Sequence, residues 1–142
     1  MKISVIYWSG TGNTEAMAKA VAEGAEAQGA AVTLLSVDQA SLEDVVNADA
    51  IALGCPSMGA EVLEESEMEP FVESLEGKVN GKATVLFGSY DWGNGDWMKD
   101  WEGRMDGYGA KVIGEGLIVN LTPADSDLED CRNLGAALVK GI

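Results

Sequence analysis

The chain has 142 residues, of which 46% are hydrophobic and 23% charged, a composition typical of one soluble globular domain with one sizeable core. It contains no histidine, which excludes Ser-His-Asp and Cys-His catalysis and disfavours zinc chemistry. Its formal net charge of −15 disfavours nucleic acids and anionic membranes as partners, because a phosphate backbone is bound through Lys and Arg.

Strand-like and helix-like segments alternate along the chain. The predicted strands are short apolar runs at residues 3–8, 31–37, 48–55, 83–89 and 111–119. The predicted helices cover residues 14–28, a short segment that opens at residue 41, and residues 69–76, 96–105 and 125–140. Ser41 and Asp44 occupy capping-box positions, Asp96 is the predicted N-cap of the fourth helix, and Gly114 and Gly116 interrupt the fifth strand.

The predicted strands are continuous apolar runs, which indicates burial on both faces and therefore a parallel sheet. We expect a doubly wound α/β fold and one domain over residues 1–142. No apolar run reaches the roughly 20 residues that cross a bilayer, and the strand-like N-terminus lacks a signal-peptide cleavage site. Cys55 and Cys131 lie far apart without a CxxC motif, which favours reduced thiols in a cytoplasmic protein over the alternative of a disulfide.

Three loops follow the first, third and fourth predicted strands, where doubly wound sheets bind ligands. Their sequences are SGTGNT (9–14), PSMGAE (56–61) and YDWGNGDW (90–97). They combine glycines, hydroxyl groups, one methionine and two tryptophans. This composition indicates a binding site rather than simple turns.

The first loop has the features of a phosphate site. It runs into a helix N-terminus, where free N–H groups and the helix dipole favour an anion. It is neither a Walker loop nor GxGxxG, and no Lys or Arg falls between Lys2 and Lys19. These features predict a phosphate monoester held by neutral donors; the alternative is a Gly/Ser turn in which Thr14 caps the helix.

The aromatic residues of the third loop predict a site for a flat ring. Trp92 and Trp97 lie among glycines and can stack on a ligand together with Met58 of the second loop, although they can equally pack over the strand ends. Trp8 and Trp101 are interpreted as structural. The segment EVLEESEMEPFVESLE carries seven glutamates and no base, which is typical of a solvated face and makes the surroundings of the loops negative.

The segments YWSGTGNTE, LGCPSMGAEVLEESEMEPF and LFGSYDWGNGDWM resemble the flavodoxins, specifically the short-chain type known from anaerobic bacteria. The resemblance covers the full chain, and the fifth strand carries no long insertion. It implies a three-layer α/β/α sandwich with strand order 2-1-3-4-5 that binds FMN non-covalently. The FMN-binding residues that it implies are Ser9, Gly10, Thr11, Gly12, Asn13, Thr14, Pro56, Ser57, Met58, Gly59, Ala60, Glu61, Ser89, Tyr90, Asp91, Trp92, Gly93 and Trp97.

The resemblance also implies a role for each loop. The phosphate lies in residues 9–14 with help from Ser89, and Met58 and Trp92 cover the two flavin faces. The backbone of residues 58–61 meets N5 and O4, the Glu61 carboxylate lies near N3, the backbone of residues 91–93 meets N1 and O2, and Trp97 shields the rim. Ala60 and Asp91 depart from the usual loops, which have Asp or Ser at the first position and Gly at the second.

The implied function is that of a low-potential one-electron carrier that shuttles between semiquinone and hydroquinone and is not an enzyme. Gly59 permits the peptide flip that offers its carbonyl to N5–H, and the surrounding acids destabilise the anionic hydroquinone. We expect a cytoplasmic monomer that forms transient complexes with basic-surfaced redox enzymes: ferredoxin- or flavodoxin-dependent oxidoreductases, hydrogenase, nitrogenase or NADPH-linked reductases. The alternative is a flavodoxin-like quinone reductase, against which the closing of the outer face by Trp92 argues.

Overall fold

The computed structural model describes residues 1–141, so the last residue of the predicted domain, Ile142, lies outside the described residues. The strands are β1 (Lys2–Tyr7), β2 (Ala31–Ser36), β3 (Ala50–Gly54), β4 (Ala83–Tyr90), β5 (Lys111–Val112) and β6 (Leu117–Asn120). The α-helices are α1 (Asn13–Ala27), α2 (Leu42–Val46), α3 (Met68–Ser74), α4 (Asp96–Gly107) and α5 (Asp125–Lys140), and a 3₁₀ turn covers Val37–Gln39.

All strand pairs are parallel, and the sheet has the order β2-β1-β3-β4-β5. Strands β5 and β6 are two parts of the predicted fifth strand, because both pair with β4: Lys111 is opposite Ala83, and Leu117 is opposite Phe87. Gly114, with φ of +68°, lies in the break between them. The predicted fold class and strand order are confirmed.

The sheet is buried on both faces, as the continuous apolar strands predict. Successive residues of one strand enter different cores: Val5 packs on the side of α1 and α5, whereas Ile6 packs on the side of α2, α3 and α4. Trp101 is buried in the core on the side of α2, α3 and α4. None of the helices within residues 1–141 combines the length and the apolar character needed to cross a bilayer.

Helices α1 and α5 cross where a glycine of each helix faces the backbone of the other. A Cβ on Gly24 would lie 1.9 Å from the carbonyl oxygen of Arg132, and one on Gly135 would lie 2.0 Å from that of Val21. Such backbone-to-backbone approach is open only to residues without a side chain. It lets the two helices cover their face of the sheet as one layer.

The helix caps and cysteines show which local predictions hold. The Asp44 carboxylate accepts hydrogen bonds from the Ser41 N–H (2.8 Å) and hydroxyl (3.1 Å), so the predicted cap of α2 is confirmed. The predicted cap of α4 is wrong, because Gly95 is the N-cap, with φ of +92° and no side-chain bond. Cys55 and Cys131 are free, and burial raises the pKa of each thiol to about 12.

Candidate functional site

The three loops meet at the carboxyl ends of the strands around a cleft of about 230 Å³. Nine of the eighteen predicted site residues lie on its wall, and they come from the three loops and the end of β4: Gly10, Thr11, Asn13, Pro56, Ser57, Met58, Ser89, Tyr90 and Asp91. Two further residues of the wall, Trp8 and Leu121, were not predicted. Trp8 lies against the first loop, since a Cβ on Gly10 would be 3.0 Å from its ring, and its structural interpretation is therefore incomplete.

The first loop presents free backbone donors at the start of α1. Ser9 Oγ accepts hydrogen bonds from the N–H groups of Gly12 (3.1 Å) and Glu15 (3.2 Å), which folds the loop over the helix end. The N–H groups of Gly10, Thr11 and Thr14 make no hydrogen bond within residues 1–141. Unpaired donors at the positive end of a helix dipole suit an anion.

A buried pair of hydroxyl groups joins this loop to the sheet. Thr14 Oγ1 lies 2.8 Å from Ser89 Oγ and accepts from the Ser89 N–H at 3.4 Å. The N-cap of α1 is Gly12, with φ of +95° and no side-chain cap bond. The alternative in which Thr14 only caps the helix is therefore wrong, and Thr14 instead fixes the distance between the first loop and β4.

The second loop is a tight turn closed by two hydrogen bonds between Met58 and Val62, of 2.8 and 3.0 Å. Within it, Gly59 has φ of +48° and Glu61 has φ of +56°. A Cβ on Gly59 would meet nothing within 4 Å, so the demand for glycine at this position is conformational and not steric. The observed positive φ agrees with one of the two turn conformations expected from the sequence.

Glu61 connects the second loop to the third. Its carboxylate oxygens accept hydrogen bonds from the N–H groups of Asn94 (2.9 Å) and Asp96 (3.1 Å), at the start of α4. A Cβ on Gly93 would lie 1.4 Å from Glu61 Oε1. This clamp between the two loops was not predicted, because its partners are more than 30 residues apart in sequence.

The two tryptophans expected at the ring site lie in different environments. Trp92 is 60% exposed and projects from the third loop. Trp97 is 2% exposed, belongs to α4, and donates its indole N–H to the Cys55 carbonyl at 3.3 Å. Trp97 therefore lies beneath the second and third loops, and its expected place at the rim is corrected: it supports the loops from the core.

The acidic segment is only partly the solvated face that its composition indicates. Glu64 is buried, and its carboxylate accepts hydrogen bonds from the N–H groups of Ser66 (2.7 Å), Glu67 (2.8 Å) and Met68 (2.9 Å). Burial raises the pKa of Glu64, but the hydrogen bond from the Ser66 hydroxyl and these three backbone hydrogen bonds outweigh burial, and the net pKa is lowered. Glu64 thus holds the start of α3.

Two more glutamates of this segment have partners in other elements. Glu67 accepts a hydrogen bond from the Trp8 indole at 3.3 Å, and Glu69 forms a two-bond ion pair with Arg104, one bond of which is 2.8 Å. The segment therefore ties Trp8, just before the first loop, and α4 to α3. Within residues 1–141, no cluster of side chains has the composition of a metal site.

Charge is distributed unevenly between the two ends of the sheet. The three loops contain acids but no Lys or Arg. Five of the nine cations lie at the opposite end, where the parallel strands begin and α5 ends: Lys2, Lys78, Lys82, Lys111 and Lys140. An electron-rich ligand in the cleft consequently has acids and no base in the loops around it.

Comparison with known proteins identifies the family. The sequence model named Flavodoxin matches residues 5–135. A flavodoxin of Clostridium beijerinckii is 47% identical over 94% of this chain and 96% of its own length, and a flavodoxin of Megasphaera elsdenii is 46% identical over 97% and 98%. The solution structure of the two-electron reduced Megasphaera elsdenii flavodoxin superimposes with a TM-score of 0.88 and 43% identity, over 97% of this chain and 98% of that one. The chain belongs to the flavodoxin family, small electron-transfer proteins that bind FMN.

Proposed function

We propose that the cleft holds FMN with its phosphate at the start of α1. The observation that supports this most strongly is the set of unpaired N–H groups of Gly10, Thr11 and Thr14, which have no cation nearby. Hydroxyl and amide groups of Ser9, Thr11 and Asn13 supply further neutral donors. The buried Thr14–Ser89 pair keeps these groups in place against β4.

The second and third loops then receive the flavin ring. Met58 lies on the wall of the cleft and Trp92 projects above the third loop, so the two side chains can cover opposite ring faces. Gly59 has the conformational freedom to present either its carbonyl or the next N–H to the ring edge. Backbone N–H groups of residues 91–93 supply the donors for the pyrimidine edge.

Bound FMN supplies two one-electron steps, and the lower-potential step is the one that a low-potential carrier uses. The loops make that step harder because acids surround the cleft and no base offsets the negative charge that the second electron adds. Asp91 is the acid on the wall of the cleft itself. It is therefore the side chain with the most direct electrostatic effect on the lower potential.

The charge distribution also supports a class of partner. We expect the protein to act as a monomer that forms brief complexes with redox enzymes whose docking surfaces are basic, because a net charge of −15 attracts such surfaces at long range. Ferredoxin- or flavodoxin-dependent oxidoreductases, hydrogenase, nitrogenase and NADPH-linked reductases all belong to this class. Two free buried thiols support a cytoplasmic location.

An anaerobic reductive titration of the FMN-loaded protein tests the proposal. We expect two well-separated one-electron steps in the visible spectrum. In Asp91→Asn the lower potential should rise by a few tens of millivolts, since a negative charge beside the ring is removed. In Asp106→Asn, near the opposite end of α4, it should not change.

Two outcomes would count against parts of this proposal. A single two-electron step in the wild-type protein would contradict the carrier function and favour the quinone reductase. Two separated steps with no rise of the lower potential in Asp91→Asn would leave the carrier function intact and show that the Asp91 charge does not lower that potential.

A further inference from the structure

A fourth segment, Asn120–Leu121, closes one side of the cleft. It follows β6 directly, and Leu121 lies on the wall of the cleft with Thr11, Met58 and Asp91. The resemblance to flavodoxins assigned no ligand contact to this segment. Its sequence, without glycine or charge, gave no sign of a binding role.

Leu121 combines two unfavourable properties. Its φ is +59°, and the only other non-glycine residue with positive φ within residues 1–141 is Glu61, also at the site. Its side chain is 51% exposed, so core packing does not compensate for the backbone strain. Glycine or asparagine would relieve the strain, and fold stability therefore does not explain a leucine at this position.

The backbone around Leu121 is held firmly in this conformation. The Leu121 N–H donates to the Tyr90 carbonyl at 2.8 Å, and the Asn120 side-chain amide donates to the carbonyls of Tyr90 (3.2 Å) and Asp91 (3.4 Å). These bonds fasten the segment to the point where β4 enters the third loop. They fix the direction in which the leucine leaves the backbone, beside the cleft.

We propose that Leu121 is an FMN-contacting residue, an apolar cover over the ligand between the first and third loops that slows its release. The inference rests on the proposed FMN site. The part of FMN that joins the phosphate to the ring must pass between these loops, and an apolar side chain there excludes water from it. Binding would then bury the leucine, which is half exposed to solvent at the edge of the cleft.

The test compares variants that keep the backbone conformation. Leu121→Gly and Leu121→Asn both tolerate positive φ, so the urea midpoint of the apo protein should stay the same or rise. FMN dissociation, followed by the return of flavin fluorescence, should accelerate about fivefold, the factor that corresponds to covering about half of a leucine side chain. Leu121→Met, which keeps an apolar cover, should dissociate at the wild-type rate.

Val46→Ala is the matched control, because Val46 is also a half-exposed apolar residue but lies on α2, away from the cleft. It should leave the dissociation rate unchanged. Unchanged dissociation in both Leu121→Gly and Leu121→Asn would overturn the inference, as would faster dissociation accompanied by a proportionate loss of apo stability. If the wild-type protein failed to bind FMN, the proposed function would fall first, and this inference with it.

Discussion

At the scale of single residues, the hydrogen bonds that Glu61 accepts from Asn94 and Asp96 hold the second and third loops together, and Gly93 leaves room for the Glu61 carboxylate. Alanine at position 93 would be destabilising for two reasons: its φ of +93° would strain the backbone, and its Cβ would lie 1.4 Å from Glu61 Oε1. Gly29 has nearly the same φ, +91°, but open space around it. The pair Gly93→Ala and Gly29→Ala therefore separates backbone strain from the loss of the clamp.

We expect Gly29→Ala to lower the free energy of unfolding by about 1 kcal/mol, the strain alone, and to leave FMN affinity unchanged. Gly93→Ala should cost about 1 kcal/mol more and weaken FMN binding at least about tenfold, because the Glu61 carboxylate is displaced from the start of α4. Urea unfolding of the apo protein and fluorescence titration with FMN measure the two effects. Equal affinities in the two variants would show that the clamp does not shape the site.

At the scale of elements, the hydrogen bonds between Glu64 and the start of α3 should make the stability of the protein depend on pH. Its pKa is lowered in the fold, so the carboxylate stabilises the protein fully above the pKa of an exposed glutamate. That contribution disappears as pH falls through the lower folded-state pKa. Glu64→Gln should cost about 1–3 kcal/mol at neutral pH, and the difference from wild type should shrink on acidification.

Urea midpoints of both proteins across the acidic range measure this effect. The neighbouring Glu65 is exposed and its carboxylate makes no hydrogen bond within the described part of the chain, so Glu65→Gln is the matched control and should have a urea midpoint close to that of wild type. A Glu64→Gln difference that stays constant down to strongly acidic pH would show that the charge of Glu64 does not hold α3.

The elements also show how far sequence reasoning reaches. Continuous apolar runs were enough to predict the strands, the burial of both faces of the sheet and the positions of the three loops, because these features are encoded locally. The cap of α4 was mispredicted because its start depends on the backbone conformation of Gly95 and on Glu61, 35 residues away from Asp96. Local patterns contain no information about such a partner.

The same limit applies to the site: its locally encoded residues were predicted, and those whose positions depend on distant parts of the chain were not. Loop composition identified the residues that line the cleft from the first three loops. The positions of Trp8, Trp97 and Leu121 depend on how distant strands align. In the sequence, Trp97 has glycines nearby, as a loop residue would, but in the fold it is buried in the core. Only the packing of α4 against β4 and β5 separates these environments.

At the scale of the whole molecule, the net charge of −15 and its uneven distribution predict salt-dependent encounters. Reduction of a small basic haem protein should slow at least about tenfold between about 0.01 M and about 0.5 M ionic strength, because salt screens the attraction. Stopped-flow absorbance measures the rate. An anionic acceptor is the control and should react faster with added salt; a basic acceptor insensitive to salt would refute electrostatic steering.

The separation of the lysines at one end of the sheet from the acids around the cleft at the other also determines how the molecule adsorbs to a solid. A positively charged electrode attracts the acidic end, so an adsorbed layer presents the cleft to the conductor without a chemical linker. A negatively charged electrode repels the molecule as a whole, because the net charge is −15 and acids such as Asp49 lie among the lysines at the other end. The sign of the electrode therefore decides whether the protein adsorbs, and an adsorbed molecule has its cleft at the conductor.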